Sequence, residues 1–101
     1  MKTEQFEIIL SERLQAIEKI LGYKAKEYSH DNDRLYNFKV AARMLNISNA
    51  EALWGMAAKH LVSVNDLVTG RLGQTSEMIN EKIGDMINYL ILLEAILKEE
   101  K

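Results

Sequence analysis

The chain has 101 residues, 13 basic and 15 acidic for a formal net charge of −2, with 48% hydrophobic and 28% charged residues. This suits one folded domain over residues 1–101, and disorder is excluded by the apolar content. With no cysteine there are no disulfides, thiolate zinc sites, iron–sulfur clusters or cysteine nucleophiles, which fits a cytoplasmic protein, and the charge gives no general pull toward nucleic acid or anionic lipid.

The N-terminal MKTEQFEIILSERLQ mixes acids among its apolar residues and does not read as a signal peptide. From Thr3, a plausible N-cap, apolar residues recur at Phe6, Ile9, Leu10, Leu14, Ile17, Ile20 and Leu21, the 3–4 spacing of a helical stripe. Gly22 could end this helix, but Tyr28 stays in phase, so the helix is expected to run through the glycine. SHDNDR (29–34) reads as a turn with an acidic cap. A shorter helix follows, with Leu35, Phe38, Ala41, Ala42 and Leu45 expected inward. The chain breaks at Asn46–Ile47, and Ser48 with Glu51 has the spacing of a capping box. The third helix carries Ala50, Leu53, Met56, Ala57, Leu61, Val64, Leu67 and Val68 on one side, and Gly70 is placed to stop it.

A last helix is expected from about Ser76 to about Glu99. Its main apolar stripe is Ile79, Ile83, Met86, Leu90, Leu93 and Leu97, and a second stripe of Met78, Tyr89, Leu92 and Ile96 lies a quarter-turn away. The expected fold is therefore all-α, a four-helix bundle-like domain with a long apolar C-terminal helix. Beyond Asn88 that helix is apolar on nearly every side, which predicts burial in a homo-oligomer. The most apolar window, Met86 to Leu97, is interrupted by Asn88 and Glu94 and is too short to span a bilayer, so no membrane is expected.

Glu77, Glu81 and Asp85 fall at i, i+4 and i+8 on the last helix, and Asn88 extends the row. Carboxylates gathered this way suit a hard cation such as Mg²⁺. The same row lies nearly opposite the main apolar stripe, which is also where an ordinary solvated face belongs. Lys39 and Arg43, four apart, could grip a phosphate through charge-assisted hydrogen bonds, and His60 lies on the third helix's apolar stripe. A solvated helix face for Lys39 and Arg43, and a hydrogen-bonded core position for His60, are the more ordinary readings of these three. Tyr23, Tyr28 and Tyr36 interleave with Lys24, Lys26 and Lys39, a mixture that can stack a base or merely pack helices. No Gly-rich phosphate loop, H-E-x-x-H, G-x-S-x-G or catalytic triad is present. The string VAARMLNISNAEALW has helix-turn-helix spacing, but its second helix has no basic residue before Lys59, so nucleic acid is not the expected partner.

Three stretches, EYSHDNDRLYNFKVAARML (27–45), Met56 to His60, and EKIGDMINYLILLEAIL (81–97), together make the chain resemble small phage and prophage helical proteins, grouped as nucleotide-modification-associated or of unknown function. They cover somewhat under half of it. The chain is also distantly similar to the MazG-like all-α nucleoside triphosphate pyrophosphatases, which hold Mg²⁺ with an E-x-x-E pattern on one helix and E-x-x-D on a later one. Asp85 matches the aspartate of the second pattern. Lys82 stands where its glutamate would be, leaving Glu81 as the nearest acid, and the third helix offers only Glu51 and Asp66. The resemblance implies a nucleotide-binding protein or a Mg²⁺-dependent pyrophosphohydrolase; the residues themselves offer Glu77, Glu81 and Asp85 as metal-side candidates and Lys39, Arg43 and His60 as phosphate-side candidates. The alternative is a non-enzymatic, homo-oligomeric interaction module.

Overall fold

A computed structural model describes residues 1–23 and 33–101, and every regular element in them is helical. Helix α1 runs Thr3–Ile17 and continues as a wider π-helical segment, Glu18–Tyr23. Helix α2 is Tyr36–Leu45, α3 is Asn49–Val68 and α4 is Ser76–Glu99. The chain does pass through Gly22 in helical form, as its unbroken stripe requires; Lys24, Lys26 and Tyr28 lie outside the described residues. Among the described residues no helix is long and apolar enough to cross a membrane.

The junctions follow their local chemistry. Lys2, not Thr3, precedes the first turn of α1, and its N–H is taken by the Gln5 side chain at 3.0 Å. Asp33 receives the Leu35 N–H at 2.9 Å and opens α2. Helix α2 ends on Asn46, whose φ of 56° is a left-handed conformation that asparagine tolerates, and Ile47 N–H closes back on Ala42 O at 3.0 Å. Two residues later the capping box forms as expected: Glu51 N–H donates to Ser48 Oγ at 3.0 Å and Ser48 N–H to Glu51 Oε1 at 3.1 Å. The Ser48 backbone N–H, and after it the Ser48 hydroxyl, hold the Glu51 carboxyl below its usual range. Helix α3 stops at Gly70, φ 84°, and Gln74 covers the loose Leu67 carbonyl at 2.9 Å. Thr75 then caps α4 by accepting the Met78 N–H at 3.2 Å.

Helix α3 packs against both α2 and α4, and the core sits among these three. Leu35, Phe38, Leu53 and Ile96 are its buried centre, with Tyr89, Leu92 and Leu93 against them. Phe38 meets the Tyr89 ring edge-on at 6.3 Å, and the His60 ring lies on Tyr89 at 4.7 Å.

The expected faces are met only in part on α4, on α1, and on α2 and α3. On α4 the second stripe, through Tyr89, Leu92 and Ile96, faces the core, and the main stripe divides: Met86 is buried and Leu93 packs on the core, whereas Ile79, Leu90 and Leu97 are exposed. Gly84 faces α1, and the Arg13 guanidinium lies against it. On α1 no residue is buried, and Phe6, Leu10 and Leu14 are each about half exposed. On α2 and α3, Leu45 and Val68, the last residues of their helices, lie outside the core, and so do Met56 and Leu61 in the middle of α3.

Candidate functional site

Helix α1 packs on the first half of α4, and an open groove of about 720 Å³ lies between them. Its α1 wall is the face carrying Ile9, Glu12, Arg13, Ala16 and Ile20; its α4 wall carries Glu77, Asn80, Glu81, Gly84, Asp85 and Asn88. Both sets are spaced three and four apart, so each is one continuous helix face. The volume is within the range of small-ligand sites.

The acid row lies along this groove. Glu77 and Glu81 are exposed at its mouth, Asp85 is half-buried, and Asn88 is the buried end of the row. Glu12 of α1 faces the same space, making four carboxylates in one groove. Among the described residues no three acids or histidines converge as a ready ligand set for a metal. Residues four apart on a helix are separated by about 6 Å along its axis, too far for one ion to touch all three of the row. Mg²⁺ requires less: one or two carboxylates, completed by water and phosphate oxygens.

Asn88 is 8% exposed, and its Oδ1 is buried with no hydrogen-bond partner. An amide oxygen left this way costs roughly 1–3 kcal/mol. A hard cation, or a donor on a ligand, would relieve it.

Behind the row, Asp85 Oδ2 stands 3.6 Å from Nδ1 of His60, longer than a hydrogen bond and close enough for attraction when the imidazole is charged. His60 is thus brought to the acid row as an orienting neighbour of Asp85, on the α3 side, and is not itself among the groove's lining residues. Lys39 and Arg43 are not brought there at all. Lys39 donates to Asp33 Oδ2 at 2.8 Å and also pairs with Glu99. The Asp33 bond, then the Glu99 bond, push the Lys39 ammonium above its usual value, and the Lys39 bond pulls the Asp33 carboxyl below its own. This cluster ties α2 to the far end of α4. Arg43 is exposed in the last turn of α2.

The cation in the groove is instead Arg13, which sequence reading missed. Its Nη2 donates to the Asn80 carbonyl at 3.1 Å, and its guanidinium lies over Gly84, so close that a Cβ there would stand 2.5 Å from Nη1. The available signal was Gly84 itself, a glycine inside a strong helix, which often marks a close approach. Neither a known protein family nor a curated protein nor a solved structure matches this chain.

Proposed function

We propose that the groove between α1 and α4 binds the phosphates of a nucleotide together with Mg²⁺, as the MazG-like resemblance implies. The observation that carries the proposal is the orphaned Asn88 oxygen at the buried end of the acid row, a polar atom in want of a ligand. Asp85 and Glu81 are the residues proposed to face the cation, with Asn88 beside them and His60 holding Asp85 from behind. Pyrophosphate release is the reaction the resemblance attaches to such a site.

Thermal melts against nucleoside mono-, di- and triphosphates, with and without Mg²⁺, test this. A ligand that binds only the folded state at 100 times its Kd stabilises by about 2.7 kcal/mol, several degrees in a domain of this length. The expected result is a Mg²⁺-dependent shift with one nucleotide class, lost in Asp85→Asn. No shift across the panel sinks the proposal.

A second reading, a self-associating module, is favoured by the surface. The chain exposes 7576 Å², whereas a compact monomer of 11.6 kDa exposes about 5,800 Å². Its radius of gyration of 15.5 Å also exceeds the ~13 Å of a compact 100-residue domain. The half-exposed Phe6, Leu10 and Leu14 of α1 and the outer α4 stripe are the surfaces proposed to meet a second copy. Sedimentation equilibrium checks it: a monomer at micromolar concentration refutes this reading.

A further inference from the structure

We infer that Arg13 is the anion-binding residue of the groove and that Gly84 is the position that admits it; the inference rests on the proposed function and deepens it. Three observations lead there. The Arg13 guanidinium has five N–H donors, of which one is used on the Asn80 carbonyl. Among the described residues Arg13 forms no ion pair, although Glu12, Glu77, Glu81 and Asp85 all line the same groove. And a helix-interior glycine costs stability relative to alanine, yet a Cβ at position 84 would collide with Nη1 at 2.5 Å. The glycine keeps the guanidinium low in the groove, where its free donors can reach a bound group.

The charge balance then fixes the class of ligand. Four carboxylates against one guanidinium leave the groove with three net negative charges. A free phosphate is repelled by that field, and one arginine does not overcome it. An anion can sit on Arg13 only when it arrives with a divalent cation that neutralises the acid row. The ligand is therefore a metal-chelated phosphate group, in which the cation faces the α4 acids and an anionic oxygen faces the planar guanidinium. Cation and anion help each other bind, and the anion's share of that coupling passes through Arg13.

The test uses the full chain, Mn²⁺ as the cation and inorganic tripolyphosphate as the anion, titrated separately and together by calorimetry. Tripolyphosphate alone gives no binding to the wild type; Mn²⁺ alone binds weakly; the pair binds cooperatively. Arg13→Gln keeps or tightens Mn²⁺ binding, since a positive charge has left the groove, and weakens Mn²⁺–tripolyphosphate binding about 10–100-fold, the range of one charge-assisted contact. Gly84→Ala retains every charge and displaces only the guanidinium, so it weakens the pair to a similar degree, and the double variant is no weaker than Arg13→Gln. If both single variants bind the pair like the wild type while Glu81→Gln and Asp85→Asn do not, the role of Arg13 is overturned and the groove proposal survives. If Arg13→Gln loses Mn²⁺ binding as well, with a lowered melting midpoint, Arg13 is a tether between helices and the inference fails. A wild type that binds neither species overturns both.

Discussion

Replacing Asn88 with leucine should make the ligand-free protein more stable and its ligand site worse. Asn88 is 8% exposed, and its Oδ1 has lost water without gaining a donor. Leaving a buried acceptor unsatisfied costs roughly 1–3 kcal/mol, and leucine, branched at the same carbon with the same number of side-chain heavy atoms, removes that cost while keeping the space filled. In a domain of about 100 residues 1 kcal/mol moves the midpoint by roughly 5 °C, so the expected rise is on the order of 5–15 °C. The assay is a pair of thermal melts, with and without Mn²⁺, on wild type and Asn88→Leu. The wild type gains stability from Mn²⁺; the variant starts higher and gains less. Asn88→Met supplies a flexible side chain of similar size, so that a misfit of the leucine branch is not mistaken for a lost hydrogen bond. If both variants melt below the wild type, the Asn88 oxygen is already satisfied in the ligand-free protein, and the case for a ligand at the end of the acid row is lost.

Other expectations follow from the capping, the ion cluster and the surface. Ser48→Ala removes the acceptor for the Glu51 N–H and should lower stability by about 1 kcal/mol in urea melts, with Glu51 still tied to the position 48 backbone. Leu53 is fully buried, and Leu53→Ala should cost about 2–5 kcal/mol by the same measurement. The Asp33 carboxyl is lowered from 3.8, so its contribution to stability is present above that value and is lost as pH falls through the folded pKa; the Lys39 ammonium is raised from 10.5, so its share is complete below that value and lost as pH rises through the folded one. The stability gap between wild type and Lys39→Met should therefore be level across neutral pH and close at both extremes; a gap unchanged below pH 3 refutes the pairing. Phe6→Glu with Leu10→Glu should leave helicity intact and abolish concentration-dependent mass in sedimentation, since both side chains are about half exposed on one chain.

The ends of the helices were legible in the sequence because they are decided locally. Ser48 and Glu51 sit three apart and satisfy each other's backbone donors, Asn46 tolerates the left-handed turn, and the limits expected for the last helix, near Ser76 and Glu99, are those observed. Which face of a helix is buried is not a local matter. Periodicity ranks the stripes of α4 by their apolar content, yet the larger one is split, with Met86 and Leu93 toward the core and Ile79, Leu90 and Leu97 outward. What selects the face is the packing of α4 on α3, an element separate from it in the sequence.

The approach of α1 decides the site. Glu77, Glu81 and Asp85 were readable as a row from their spacing, but whether the row met water or a wall depended on residues far away in the chain, Glu12 and Arg13 on α1. Lys39 and Arg43 looked equally suited to phosphate, and the fold separates them from the row: Asp33 and Glu99 occupy Lys39, and Arg43 ends an exposed turn. A free arginine beside a helix glycine is thus a stronger pointer to an anion than a basic pair on a helix face. The guanidinium over Gly84 is held in place by packing and has donors to spare, whereas the Lys39 ammonium has already been neutralised by the structure that positions it.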